Sequence, residues 1–281
     1  MSIDEYFTIN AGVRVDYFRN VYKDLLANPV TLNHASQAIV SPKLNFYYTF
    51  SPKIQLYLNS GKGFHSNDTR VVVQQHGREV LPSAYGSDFG IVFKPLPKLL
   101  INAAIWYLWL EQEFIYVGDE GVVEPGGKTR RKGIDLSFRY QLNKLLYFDA
   151  DISTAKPRAI GVSEGMNYLP LACSFTSTGG LSLQAPNGFS GSLRYRYLGS
   201  RPANEDNSIV AKGYFLGDVQ ANYTQKKYQL GLSIQNILNA RWKETQFATD
   251  SRLKGESAPV EEIHFTPGTP FAAKLSLTIY F

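Results

Sequence analysis

The chain has 281 residues, of which 44% are hydrophobic, 14% aromatic and 19% charged, a mixture rich in residues that favour β-strands. Its formal net charge of +5 includes no basic run longer than the segment 128–132, so no nucleic-acid partner is expected. Its single cysteine, Cys173, excludes an internal disulfide and a cysteine zinc site. The four histidines lack the spacing of metal ligands, and we expect no cofactor.

Apolar and polar residues alternate along most of the chain, the spacing that sends successive side chains to opposite faces of a β-strand. No stretch of 18 or more apolar residues and no signal peptide is visible. In chain order the alternation predicts about twelve strands, at 5–19, 39–50, 53–64, 84–95, 98–118, 128–141, 144–156, 172–185, 188–199, 210–225, 227–247 and 270–281.

The predicted connections alternate between short and long. Tight turns are expected at 51–52, 95–97, 142–143, 186–187 and 225–226, and long polar loops at 20–38, 65–83, 119–127, 157–171, 200–209 and 248–269. Because consecutive antiparallel strands turn at opposite ends of a sheet, all the long loops are expected at one end and all the tight turns at the other.

Charged residues recur on the strand face opposite the apolar one. In a barrel that face would line a water-filled lumen. Within this set, Asp149 and Asp151 share one face of a strand, and we interpret them as solvated charges near Arg139 or Arg194 of other strands rather than a catalytic pair. The expected lumen-facing polar residues are Arg14, Asp16, Asp135, Arg139, Asp149, Asp151, Arg194, Arg196, Asp218 and Lys274.

Strand length separates a membrane barrel from a β-sandwich, the other fold that alternates in this way. Sandwich strands usually have about 5 or 6 residues, whereas a tilted strand needs roughly 9 to 11 to cross a bilayer. The predicted strands reach the longer range, and segregated loop lengths are typical of outer-membrane barrels. We therefore predict an all-β, transmembrane antiparallel β-barrel forming one domain, residues 1–281.

Four stretches, taken in order, resemble the C-terminal half of TonB-dependent outer-membrane receptors of Gram-negative bacteria. They are "SPKLNFYYTFSPKIQLYLNSGKGFHSND" at 41–68, "YGSDFGIVFKPLPKLLINAAIWYLWLEQEFIYV" at 85–117, "SIQNILNARWKETQF" at 233–247 and "IHFTPGTPFAAKLSLTIYF" at 263–281. Each motif is weak alone, but the four together in this order are specific to the family.

The resemblance implies a barrel of about 22 strands with a plug domain in its lumen. It also implies uptake of a large nutrient, such as a ferric siderophore or cobalamin, across the outer membrane. With about twelve strands and no plug or TonB box, the chain is expected to be the second half of such a barrel. The partners so implied are outer-membrane lipid, the nutrient, and the TonB complex only through the absent plug. A truncated product, a split gene and a partial sequence stay open.

The resemblance also implies which segments contact lipid and which contact the nutrient. The final strand is expected to face lipid and to end in an aromatic assembly signal, through Phe271, Ala273, Leu275, Leu277, Ile279 and Phe281. Nutrient contacts are expected in the loops around 65–86, 117–128, 157–170 and 249–268, without individual residues. No catalytic residue is expected.

Two further hypotheses fit the alternation. One is a stand-alone twelve-stranded passive pore. The other is an outer-membrane phospholipase with His65 and Ser66 on its wall. Adjacent strand residues point to opposite faces, so this pair has the wrong spacing for a hydrogen-bonded base and nucleophile, and an enzyme is not expected.

Overall fold

The computed structural model describes residues 6–26, 28–65, 73, 80–117, 122–125 and 127–281. These residues form an all-β structure, and among them no helix is long and apolar enough to cross a membrane. The strands are β1 (Phe7–Asp24), β2 (Thr31–Ser51), β3 (Ile54–Phe64), β4 (Ser83–Leu96), β5 (Leu99–Leu110), β6 (Phe114–Val117), β7 (Val122–Pro125), β8 (Thr129–Gln141), β9 (Leu146–Ala155), β10 (Arg158–Ala159), β11 (Phe175–Gln184), β12 (Phe189–Leu198), β13 (Arg201–Pro202), β14 (Val210–Ala211), β15 (Tyr214–Thr224), β16 (Tyr228–Gln235), β17 (Lys243–Ser251), β18 (Val260–Pro267) and β19 (Ala272–Ile279).

Twelve long strands form one antiparallel sheet in the order β1-β2-β3-β4-β5-β8-β9-β11-β12-β15-β16-β19, and β10 pairs with β8 beside it. Each long strand is hydrogen-bonded to the long strands directly before and after it in the chain, so the sheet is a meander. The predicted number of twelve long strands is thereby confirmed, although several of the predicted bounds differ. β1 and β19 lie at the two ends of the sheet, and no pairing among the described residues joins them, so the sheet does not close on itself.

Connection lengths separate as expected. The turns that join β2 to β3, β4 to β5, β8 to β9, β11 to β12 and β15 to β16 are all short. The connections at the other end are longer, and three of them contain small two-stranded ladders of their own, β6–β7, β13–β14 and β17–β18. The predicted loop 65–83 lies mostly outside the described residues.

The predicted loop at 20–38 is wrong. β1 continues to Asp24 and β2 begins at Thr31, and the two remain in register up to the Asp24–Thr31 pair. This part of the hairpin includes polar residues on both faces, such as Asn20 and His34. Pairing of two backbones does not require an apolar residue at every second position, so hydrophobic alternation stops before the strand does.

The predicted single strand at 98–118 is also wrong, because the chain leaves the sheet after Leu110. Glu111 donates its backbone N–H to the carbonyl of Ser83 (2.9 Å), and its carboxylate accepts the N–H of Ser83 (3.1 Å). These bonds end the β4–β5 pairing, and the chain then forms a separate hairpin, of which β6 lies inside the predicted strand and β7 inside the predicted loop 119–127. Similarly, the predicted strand 210–225 is interrupted between β14 and β15.

The predicted strand at 227–247 ends at Gln235, and the "NILN" segment after it is a tight turn. Asn236 and Asn239 have positive φ angles of 49° and 48°, a region that asparagine tolerates better than most residues. The buried Asn236 amide donates to the carbonyls of Ala240 (2.9 Å) and Thr269 (3.1 Å) and accepts the N–H of Ala240 (2.9 Å). The chain then forms the hairpin β17–β18, which begins at Lys243 within the predicted strand and continues through the predicted loop 248–269.

The twelve-stranded sheet exposes its apolar face. Ile105, Ile134 and Leu275 are 58%, 54% and 82% exposed, and nine apolar residues are buried among those described. One small buried cluster, Ile39, Val80 and Leu81, packs where the segment before β4 crosses β1 and β2. A water-soluble protein of this size would bury far more of its apolar surface, so an exposed apolar face of this extent indicates contact with lipid or another apolar partner.

Candidate functional site

The strand registers place the expected lumen-facing charges of β8, β9, β12 and β15 on one face of the sheet, here called the polar face. Asp149 of β9 lies opposite Gly180 of β11, which in turn lies opposite Arg194 of β12. Because residues directly opposite in neighbouring strands share a face, this register brings groups far apart in sequence into one row.

Arg194 and Asp149 form an ion pair that spans the intervening strand β11. Arg194 Nη2 donates to Asp149 Oδ2 (2.7 Å), and Nη1 donates to Oδ1, so the contact is bidentate. The guanidinium passes over Gly180, which has no side chain to block it. A Cβ atom at Gly180 would also overlap the carbonyl oxygen of Leu193, so glycine is required at this position.

A second ion pair lies beside the first. Arg139 Nη2 donates to both oxygens of Asp151 (3.0 and 2.9 Å), and the Ser137 hydroxyl donates to Asp151 Oδ1 (2.6 Å). Asp135 accepts the hydroxyl of Ser153 (2.6 Å). Asp149 and Asp151 therefore each face a different arginine, an arrangement of paired charges and not of a shared proton.

The remaining expected polar residues are spread along the sheet. Arg196 approaches Asp218 at 3.9 Å, and Asp218 also accepts the backbone N–H of Asn236 (2.9 Å). Two groups lie at the ends of the sheet, away from this row. Arg14 pairs with Asp16 within β1 (2.6 Å), and Lys274 of β19 lies opposite Ser233 of β16.

Two aromatic residues on the polar face were missed by the sequence analysis. Tyr57 of β3 crosses β4 above Gly90, where its ring fills the space of a side chain, and donates its hydroxyl to Asn102 Oδ1 (3.1 Å). Trp106 of β5 lies over Gly133 of β8 in the same way. A glycine inside a long strand pattern is the sequence signal for such close approaches.

A cavity of about 560 Å³ opens on the polar face next to these aromatics. Its lining includes Tyr57, Trp106 and the carboxylates Asp88, Asp135 and Asp151. Asp88 accepts the amide of Asn59 (2.9 Å), so each carboxylate already has a partner. The described part of the chain contains no group of three or more ligating side chains that could hold a metal ion.

The long connections 157–172 and 200–211 pack against each other at the loop end of the sheet. Tyr168 and Leu171 donate their backbone N–H groups to the carbonyls of Glu205 (3.0 Å) and Pro202 (2.7 Å). The hydroxyl and backbone N–H of Ser208 both donate to Asp206 and hold the pKa of that carboxyl below its usual value. Of the loops expected to contact the nutrient, the one at 157–170 lies entirely within the described residues. Much of the loops around 65–86 and 117–128 falls outside the described residues, among them Ser66.

The final strand carries its apolar residues on the face opposite the charges. Leu275 and Leu277 lie opposite Leu232 and Leu230 of β16, and Ala273 and Ile279 fall on the same face by the two-residue period. Phe271 and Phe281 lie just outside β19.

The chain belongs to the family described as TonB dependent receptor-like, beta-barrel, whose family model matches residues 1–237. Members of this family are outer-membrane β-barrel proteins of Gram-negative bacteria and act as transport receptors, not as enzymes. The expected family, location and absence of enzymatic function are thereby confirmed, and the phospholipase hypothesis is set aside.

Among curated proteins, the chain is similar to the metal-pseudopaline receptor CntO of Pseudomonas aeruginosa strain UCBPP-PA14. The two are 21% identical over 96% of this chain and 38% of the receptor. The chain therefore spans about two fifths of the length of the curated relatives that it matches.

Solved structures show the same fold. The ferric-catecholate import receptor Fiu from E. coli K12, in its closed form, aligns with a TM-score of 0.77 and 18% identity over 99% of this chain and 43% of the receptor. The ferric citrate transporter FecA, in unliganded form, aligns with a TM-score of 0.73 and 17% identity over 97% and 42% of the two chains. The copper transporter OprC aligns with a TM-score of 0.68 and 18% identity over 97% and 47%.

Proposed function

We propose that this chain forms a single barrel region, residues 1–281, in a receptor that imports a metal chelate across the outer membrane. The observation that carries the proposal is that one sheet of long strands has two faces of opposite polarity. One face is apolar and exposed, and the other carries ion pairs that cross from strand to strand. In this arrangement the apolar face, including Leu275, Leu277 and Ile279, contacts lipid, and the polar face lines the lumen.

The free edges of the sheet support a partial barrel over a stand-alone pore. A twelve-stranded pore would require β1 to pair with β19, because open strand edges leave backbone N–H and C=O groups unsatisfied in lipid. No such pairing joins the described residues. We propose that further strands of the receptor pair with β1 and β19 and complete the barrel.

The cargo class follows from the relatives as a proposal. The names of the similar proteins refer to metal-pseudopaline, ferric catecholate, ferric citrate and copper, and metal complexes are what these have in common. The polar face is suited to a soluble, charged cargo and to a plug domain, since it carries ion pairs and further charged side chains such as Asp135. Energy would reach the receptor through the TonB complex and that plug.

The test is uptake of radioactive iron by a strain that carries the gene and by a strain from which it is deleted. The iron is supplied as a ferric catecholate, ferric citrate or a ferric hydroxamate. Deletion is expected to lower accumulation of at least one chelate, and a protonophore is expected to remove the difference between the strains. A further strain expresses the chain with Arg194→Glu, which replaces the Arg194–Asp149 ion pair by two like charges and is expected to lower accumulation as well. Equal accumulation of every metal complex in gene-carrying and deletion strains would contradict the proposal.

A further inference from the structure

A second cavity, of about 500 Å³, lies between the two packed connections at the loop end of the sheet. Its lining includes Lys156, Arg158, Tyr168, Ser174, Ser200 and Arg201. Three of these six residues are cations. No carboxylate of the described residues is part of the lining, so the cavity is positively charged.

Arg201 is the unusual member of this cavity. It is only 8% exposed, yet among the described residues its Nε and Nη1 atoms have no hydrogen-bond partner. A buried cationic group without a partner is strongly unfavourable, and native structures rarely leave one unless a bound group satisfies it. The Arg201 backbone is fixed by its pairing with Ala211 in the β13–β14 ladder, so the side chain is held at the cavity wall.

The other two cations are placed to reinforce the same charge. The Arg158 guanidinium lies 4.0 Å above the centre of the Tyr168 ring and donates Nη1 to the carbonyl of Pro157 (2.6 Å). Stacking of this kind orients a guanidinium while leaving its polar edge available. None of the ion pairs of the described residues involves Lys156, Arg158 or Arg201.

The acidic residues of these connections are directed elsewhere. Asp206 accepts two hydrogen bonds from Ser208 within its own turn (2.7 and 2.9 Å). Glu164 and Glu205 are exposed and lie outside the described lining. The cation excess inside the cavity is therefore not neutralised by these neighbours.

We propose that this cavity binds an oxyanion group, a carboxylate or a phosphate, through the guanidinium of Arg201 with Arg158 and Lys156 beside it. The planar fork of an arginine matches two oxygens of a carboxylate or phosphate, and hydrogen bonds in which both partners are charged are the strong ones. The hydroxyls of Ser174 and Ser200 supply neutral donors to the remaining oxygens. That the oxyanion is carried by the imported metal chelate rests on the proposed function; that the cavity binds an oxyanion does not.

The experiment measures binding to the full-length protein purified in detergent, by calorimetry and thermal unfolding. The probes are inorganic phosphate, ferric citrate, which presents carboxylates, and ferrioxamine, a ferric hydroxamate without a free carboxylate. The wild type is expected to bind ferric citrate, and Arg201→Gln is expected to weaken that binding by about 10-fold to 100-fold, the range for loss of a hydrogen bond to a charged group. Ferrioxamine binding is expected to be the same in both proteins.

Stability without a probe gives an independent readout. Because Arg201→Gln removes an unpaired buried charge, its melting temperature in phosphate-free buffer is expected to equal or exceed that of the wild type. Added phosphate is expected to raise the melting temperature of the wild type and not of the variant. Arg158→Gln serves if Arg201→Gln does not fold, and Lys226→Gln, in the short turn at the other end of the sheet, is the matched control.

The outcomes separate the site from the proposed function. Arg201-dependent binding of phosphate but not of ferric citrate would support an oxyanion site and overturn its assignment to cargo. Equal affinity of wild type and variants for both phosphate and ferric citrate would overturn the site itself. Failure of iron uptake with Arg201-dependent phosphate binding intact would count against the proposed function alone.

Discussion

Charged substitution on the apolar face tests whether that face contacts lipid. Ile105 lies near the middle of β5 and is 58% exposed, with Phe89 and Ile134 opposite it on the neighbouring strands. Twelve residues at about 3.3 Å each, tilted by about 45°, span roughly 28 Å, close to the hydrocarbon thickness of a membrane. Ile105 is then near the bilayer midplane.

Ile105→Arg is expected to destabilise the membrane-inserted protein by about 2–4 kcal/mol, the value for arginine on the lipid face of a barrel at that depth. The matched control is Ala104→Arg, one residue away. Ala104 lines the cavity of the polar face opposite Asp135, so an arginine there is expected to destabilise the protein less than Ile105→Arg does.

Outer-membrane abundance after cell fractionation and urea unfolding of the vesicle-inserted protein measure the two effects. An exposed apolar side chain in a water-soluble protein would give the opposite ranking, because arginine is well solvated at a surface. Equal stability of the Ile105 and Ala104 variants, or recovery of the Ile105 variant in normal amounts in the outer membrane, would refute the assignment of the two faces.

Three further predictions concern single positions. Gly180→Ala is expected to lower the free energy of unfolding by about 1–3 kcal/mol, because the added Cβ overlaps the Leu193 carbonyl. Gly63→Ala, where a Cβ meets nothing within 4 Å, should leave that free energy unchanged. Equal values for the two variants in thermal unfolding would contradict the close approach at Gly180. Asn236→Ala is expected to lower the free energy of unfolding by about 2–4 kcal/mol, because it removes three hydrogen bonds and places alanine at a positive φ angle. Asn236→Gly should recover only the contribution of the positive φ angle, about 1 kcal/mol. Since its folded pKa is lowered, Asp206 should stabilise its turn at neutral pH and lose that effect as the pH falls through the lowered pKa. The loss would be seen as smaller amide protection factors in the turn, after correction for the intrinsic exchange rate at each pH; Asp206→Asn should remove this pH dependence.

Much of the sheet was predictable because strand formation is a local property. Alternation identified all twelve long strands, and Pro or Asn lies in four of the five predicted short turns. The limits of strands were less predictable at the loop end. Pairing of β1 with β2 continues to Asp24 through residues that are polar on both faces, and the turn at Asn236 interrupts an apolar stretch through side-chain hydrogen bonds to Ala240 and Thr269.

The family resemblance was also present in the sequence, in four ordered motifs, of which those at 41–68 and 85–117 lie within the family match over residues 1–237. The buried arginine of the loop cavity, in contrast, could not be recognised in the sequence. Arg201 has no motif around it, and only the packing of 157–172 against 200–211 shows that its guanidinium is enclosed, with Nε and Nη1 unpartnered among the described residues.

The sequence by itself determined which face of each strand a residue occupies, because side chains alternate with a period of two whatever the strand's neighbours are. Only the tertiary structure decided which residues meet on that face. Arg194 reaches Asp149, 45 positions away, because β11 lies between their strands in one register and places Gly180 beneath the guanidinium. A shift of one residue in that register would send every side chain of a strand to the other face, so the pairing of the charges depends on the whole sheet and not on any one strand.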